Sequence, residues 1–317
     1  MKHLKKIFLL LTAGITAFSG AWAQTRAQAQ AGESYVISNS QGASVIGGAR
    51  YQWYRNGELI ENATADAYTV PGYLAYGENE EFKRGVSAAD NTCDEWKFSN
   101  TVTVRFCNLL VTGSTTGKTC WAKVNVNDPG QFAAKPDTLT KFYQWNKPGT
   151  AWPATGAISG TWPVAGDPDF AATTWINGSP CPAGWRLPTK DEYVALDAQG
   201  GDLSGKGGRW AVAGASVCGV NKDQSCGNKV AGRFYGKNFA TCSLAPGGNM
   251  VGCVFFPAAG YRTYTNGALN SQGGQGNGWS STQYNGTNGY FLYFNSTASG
   301  PAWSDSKAYG FPVRCVQ

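Results

Sequence analysis

The chain has 317 residues, with 26 Lys and Arg, 20 Asp and Glu, and a single histidine. Lys2, Lys5 and Lys6 lie at the extreme N-terminus, so the remainder carries 23 basic against 20 acidic residues, a net of +3 with no Lys/Arg run, which excludes a nucleic-acid footprint. The histidine is His3. Beyond it the commonest general base, the usual partner of a Ser or Cys nucleophile and the commonest zinc ligand are all missing.

The first element is a leader. Lys2, Lys5 and Lys6 form a positive n-region, an apolar h-region runs from Ile7 to Phe18, and Ala21-Trp22-Ala23 offers a small-x-small cleavage pattern. The apolar run is too short for a spanning helix, and no cysteine follows the cleavage position. Residues 1–23 are therefore expected to be a signal peptide without lipid attachment, and 24–33 a flexible N-terminus. No later stretch reads as a transmembrane segment. The expected destination is the outer surface, the medium or the periplasm of a Gram-negative cell.

Removing 23 of 317 residues leaves 294, enough for two domains. From Gln24 to Cys107 there are 7 basic and 10 acidic residues, a net of −3; from Asn108 onward there are 16 and 10, a net of +6. Nine of the 12 tryptophans lie in the second part. Two separately built units, 34–106 and 107–317, account for this better than one core.

Short alternating runs dominate the first unit. Tyr51-Gln52-Trp53-Tyr54 is followed by the turn Arg55-Asn56-Gly57 and by Glu58-Leu59-Ile60. Ala67–Val70 stops at Pro71-Gly72, and Glu81–Val86 and Thr101–Phe106 supply two more strands. Five short strands at turn-separated spacing predict an all-β sandwich. The Y-x-W-Y-x-x-G segment resembles the core strand of bacterial Ig-like domains, with Trp53 as the buried residue. No cysteine precedes Cys93, so the usual inter-sheet pair is absent. A spacer role is expected for this unit.

Nine cysteines, at 93, 107, 120, 181, 218, 226, 242, 253 and 315, read as a disulfide framework in an oxidising compartment. None stands in a C-x-x-C pair, against zinc-ribbon and thioredoxin readings. The odd number leaves one thiol free or intermolecular.

The second unit is rich in Gly, Ser, Thr, Asn and Trp. One helix is signposted by the capping box Thr189-Lys190-Asp191-Glu192, the stripe Tyr193 and Leu196, and a stop at Gly200. Asp191 and Glu192 suit a helix start, a structural rather than catalytic role. Around it stand Cys181-Pro182-Ala183-Gly184-Trp185-Arg186-Leu187-Pro188-Thr189, then Phe255-Phe256-Pro257-Ala258-Ala259-Gly260-Tyr261-Arg262, Gly278-Trp279-Ser280-Ser281-Thr282, Tyr290–Phe294 and Gly310–Val316. These ordered motifs, with Thr119–Ala122 and Phe142–Trp145 upstream, resemble the Fibrobacter succinogenes major paralogous domain family over about 200 residues.

The resemblance implies an α+β, C-type-lectin-like fold: a twisted antiparallel sheet, one or two helices, long loops and disulfides. It places the loop before the helix beside the last strand and so implies a Cys181–Cys315 bridge. Cys242 with Cys253 and Cys218 with Cys226 are the expected short-range pairs, other connectivities remaining open. Calcium-dependent lectins carry a Glu-Pro-Asn or Gln-Pro-Asp triplet and a Trp-Asn-Asp strand, and neither occurs here. Ca²⁺ takes six to eight oxygens, whereas Asp305 is the one acidic residue from Gln224 to Gln317. No metal, cofactor or catalytic residue is expected.

The uncharged loop from Tyr264 to Gly278 reads as flexible, and it is the best candidate for ligand contact. Tyr264, Asn266, Asn270, Gln272, Trp279 and Tyr284 offer amides and aromatic faces to a glycan or a surface protein. The expected function is a non-enzymatic cell-surface binding or adhesion protein. The alternative is a structural subunit of a fimbria-like assembly. More remote is an oxidoreductase-type enzyme, because formylglycine-generating enzymes share the lectin-like fold and use a redox-active cysteine pair.

Overall fold

The computed structural model describes residues 25–30, 35–37, 50–70, 79–87, 97–98, 101–107, 109–114, 117–213, 230–245 and 249–317. The expected signal peptide lies outside them, as do Cys93 and the expected Cys218–Cys226 pair. Among the described residues, antiparallel sheets dominate, with one α-helix and three disulfides. None of their helices is long and apolar enough to cross a membrane.

Among the described residues before Asn108, the strands are β1 Thr25–Gln30, β2 Tyr35–Ile37, β3 Arg50–Arg55, β4 Glu58–Leu59, β5 Tyr68–Val70, β6 Asn79–Ser87, β7 Lys97–Phe98 and β8 Val102–Cys107. The sheet order is β1-β8-β6-β3-β4, with β7 also on β6, while β2 and β5 form a separate pair. Asn56 (φ 50°) and Gly57 (φ 88°) make the positive-φ turn that lets β3 fold back onto β4. Ile37, Trp53, Phe82, Val102 and Val104 bury together between the two sheets. The Trp53 indole N–H donates to the Ala65 carbonyl at 2.9 Å, which satisfies its one polar atom. Thr25–Gln30, within the expected N-terminal segment 24–33, form β1, paired parallel with β8 from Thr25↔Val102 to Gln30↔Cys107.

Beyond Asn108 come β9 Leu109–Ser114, β10 Gly117–Asp128, β11 Gln131–Phe132 and the helix α1 Lys190–Asp197. Then follow β12 Arg209–Ala211, β13 Gly232–Tyr235, β14 Val254–Pro257, β15 Tyr261–Arg262 and β16 Leu269–Asn270. The chain closes with β17 Gln275–Gln283, β18 Asn288–Asn295, β19 Ser299–Ser306 and β20 Arg314–Val316. The long strand β10 is flanked by β9 and β20, β12-β13-β14 and β17-β18-β19 form three-stranded sheets, and β15 pairs β16. Strand β18 is buried on both faces: Phe291 joins one core with Trp145, Trp279 and Phe311, and Leu292 joins another with Trp121, Tyr193 and Phe256. That double burial is why Tyr290–Phe294 reads as an unbroken apolar run.

Strand β9 pairs antiparallel with β10, and its Leu109 and Val111 are fully buried. Only residue 108 separates β8 from β9, and Cys107 of β8 is bonded to Cys120 of β10. The expected junction between the two units is therefore crossed twice, by the peptide chain and by a disulfide. Proteolysis between Cys107 and Cys120 should leave one species on a non-reducing gel and two fragments after reduction. Fragments that part without reductant would rule the bond out.

Helix α1 opens with its capping box in place. The Glu192 amide donates to the Thr189 hydroxyl at 3.2 Å, and the Thr189 amide donates to the Glu192 carboxylate at 2.8 Å. Glu192 has no solvent exposure and also accepts both arms of Arg186, at 2.7 and 2.5 Å, and the Thr119 hydroxyl at 2.9 Å. Burial alone would raise this carboxyl, but the Arg186 pair and the hydroxyl and amide donors outweigh it and hold it below its ordinary value. A depressed folded-state pKa contributes stability above the unfolded value of about 4.3, lost as pH falls through the folded value. Glu192→Gln should cost about 1–3 kcal/mol at pH 7 and should flatten the loss of stability below about pH 4.3. Urea melts at pH 7 and pH 3 check this; the same acid loss in both proteins would sink it.

Candidate functional site

The six residues singled out for ligand contact do not converge. Trp279 is fully buried, packs on Phe311 at 4.4 Å between ring centres, and donates its indole N–H to the Tyr143 carbonyl at 2.8 Å. It is a core residue, which removes it from the candidate surface. Asn266 uses its side-chain oxygen on the Thr263 hydroxyl at 2.6 Å and the Ala268 amide at 3.1 Å, shaping the β15–β16 turn. Tyr264, 43 % exposed, packs on Tyr309, whereas Tyr284, 54 % exposed, packs edge-on to Tyr290. Asn270 is exposed in β16 opposite Tyr261. The loop from Tyr264 to Gly278, read as flexible, contains β16 and the start of β17, joined by a Ser271–Gln275 turn.

Gln272 is different. It borders a cleft of about 600 Å³, together with Gly273 and Gly274 of the same turn, Leu139, Trp210, Val212, Ala213, Val230, Ala231, Ala258 and Ser296. The Gln272 amide donates to the Ala154 carbonyl at 3.0 Å, which holds the side chain at the rim. The Gly273 amide donates to the Ala258 carbonyl at 2.7 Å and fixes the turn against β14. Trp210 rises from the short strand β12, pinned where its amide donates to Asp202 at 3.1 Å, and its ring leans on the core beneath. Among the described residues no protein group uses the Gln272 side-chain oxygen, the Ser296 hydroxyl or the Trp210 indole N–H.

Among the described residues the lining is thus apolar walls with one indole, one hydroxyl and one amide oxygen, and no charged side chain. Such a surface can take an uncharged molecule with one apolar face and several hydroxyls. Trp210 and Ser296 were not among the residues singled out from the sequence. Nothing local distinguishes Trp210 from the other tryptophans of the second part, and Ser296 reaches the cleft only because the β18–β19 hairpin folds beside β13.

Among the described residues, a buried hydrogen-bonded chain joins Tyr235, Ser299 and Asp197. Tyr235 donates to the Ser299 hydroxyl at 2.9 Å and Ser299 to the Asp197 carboxylate at 2.5 Å. Burial raises Asp197 above its ordinary value and raises Tyr235 strongly. A carboxylate is a poor base for a serine hydroxyl without an intervening imidazole, so this chain serves as a structural link between α1 and β19. Among the described residues no three His, Cys, Asp or Glu side chains are grouped to hold a metal.

Residues 245–316 match a domain of unknown function, DUF8237. The match takes in the Phe255–Arg262, Gly278–Thr282, Tyr290–Phe294 and Gly310–Val316 motifs. No curated protein matches the chain.

Proposed function

We propose that the chain is an exported cell-surface binding or adhesion protein without catalytic activity, whose C-terminal domain engages an uncharged glycan. In this reading the N-terminal unit is an Ig-like spacer. The second unit is a C-type-lectin-like domain of the kind implied by its resemblance to the Fibrobacter succinogenes major paralogous family. The observation that carries the reading is the cleft between Trp210, Gln272 and Ser296, whose described lining carries no charged side chain. A cleft of this volume and polarity suits one or two sugar rings, with the indole supplying a rigid apolar face at little entropic cost.

A glycan array probed with the mature protein should give signal on uncharged glycans. Trp210→Ala should lower it about tenfold, the loss of one stacking contact. Complete silence on the array would overturn the reading in favour of a structural subunit whose contacts are with other surface proteins.

A further inference from the structure

We propose that Trp303 and Tyr293 form a second binding site, an exposed aromatic platform for the apolar face of an uncharged pyranose ring. Both belong to the β18–β19 hairpin, and their rings stack 4.2 Å apart at an interplanar angle of 5°. Trp303 is 52 % exposed, whereas Tyr293 is half-buried against the core beneath.

The hairpin is shaped to hold this geometry. Its register passes from Phe291↔Trp303 to Tyr293↔Gly300, so β19 carries one more residue than β18 over that span. The resulting bulge re-aims the indole. Gly300 gives it room: a Cβ there would stand 2.3 Å from the Trp303 Nε1. Tyr293 is fixed in turn, its hydroxyl accepting from the Asn295 amide at 2.7 Å. Among the described residues the Trp303 indole N–H has no protein acceptor.

A large ring held flat toward solvent forgoes the burial that normally stabilises tryptophan, and its rigidity lowers the entropic cost of binding. The electron-rich indole face attracts the polarised axial C–H groups of a pyranose, by the same quadrupole that draws cations. The unused N–H can donate to a ring hydroxyl. Asp305, two residues along the strand, disfavours anionic ligands. A single indole over one tyrosine is far short of the roughly 800 Å² per partner of a stable protein interface, which favours a sugar over a protein.

The platform shares no residue with the cleft and rests on the proposed function only for its ligand class. A glycan long enough to meet both sites would gain by effective concentration. The test is affinity electrophoresis of the full mature chain through gels containing uncharged polysaccharides (mannan, xylan, galactan or dextran). Wild type is compared with Trp303→Ala, Trp303→Phe and Trp210→Ala, all melting at the wild-type temperature. Retardation of the wild type on at least one gel is expected, weakened about tenfold in Trp303→Ala and largely kept in Trp303→Phe. Loss in Trp303→Ala with retention in Trp210→Ala supports the platform and removes the cleft. Loss in Trp210→Ala alone overturns the platform and leaves the cleft, and no retardation of the wild type overturns both. An indole ¹⁵N–¹H resonance absent from Trp303→Phe should move on addition of a methyl hexoside, and its immobility at saturation would also overturn the platform.

Discussion

Replacing Cys181 and Cys315 together by alanine should lower the stability of the C-terminal unit by about 4–5 kcal/mol, the largest effect expected of any paired substitution here. The two residues are 134 apart in sequence and bonded, with Cα atoms 5.9 Å apart. In the unfolded chain that link closes a long loop, and the entropy removed grows with loop length. In the folded chain it ties the segment before α1 to β20, beside the Arg186–Val316 backbone bridge. Both sulfurs are buried, so alanine leaves a small cavity rather than an unsatisfied polar atom. Denaturant unfolding should show the second transition displaced and the first, reported by the Trp53 unit, unmoved. Equal displacement of both transitions would mean that the two units unfold together.

Arg314→Ala should cost about 3–5 kcal/mol, since it strips a buried network of its central donor. Arg314 is 1 % exposed and donates to the Asn125 side-chain oxygen at 2.6 Å, the Ala122 carbonyl at 2.8 Å and the Phe255 carbonyl at 2.6 Å. Its guanidinium also lies 4.3 Å from the Phe256 ring centre. One planar fork thereby joins β10, β14 and β20. Lysine keeps the charge but offers a single nitrogen, which cannot span three acceptors on two other strands. Arg314→Lys should therefore recover less than half of the loss. Arg314→Met, which fills the space without donors, separates packing from hydrogen bonding. A methionine variant within about 1 kcal/mol of wild type in urea unfolding would show that the donors contribute little.

The same device recurs. Arg262, 1 % exposed, donates to the carbonyls of Pro153, Gly156 and Gly267. Lys307, fully buried, donates to those of Phe170 and Ala172 and lies 5.3 Å from the Trp145 ring centre. Burial lowers the pKa of both. Arg262 and Lys307 tie long irregular segments to the sheets, and both Arg262 and Arg314 lie in motifs that the sequence displays. The motif residues therefore report construction of the fold; the cleft is lined mostly by other side chains.

What the sequence by itself determined is local. The β3–β4 turn follows from Asn56 and Gly57, because only such residues tolerate consecutive positive φ. The capping box follows from Thr189 and Glu192, whose reciprocal bonds span three residues, and the strands around Trp53 follow from period-two alternation. What only the tertiary structure decided is which polar and aromatic groups meet across large separations. Trp279, Trp210 and Trp303 are the same residue type in short, similarly polar segments. One is sealed in the core, one lines a cleft and one lies flat on a tyrosine, because burial depends on which strands pack above each of them. Charge misleads in the same way. Lysine and arginine read as surface, yet Arg262, Lys307 and Arg314 are buried, because most of the carbonyls that satisfy them come from chain segments far from each in sequence. Gln272 alone of the six candidate residues reached the cleft, since the walls opposite it come from β12 and the residues after it, from Val230 and Ala231 before β13, and from the β18–β19 turn, and no local pattern records that meeting.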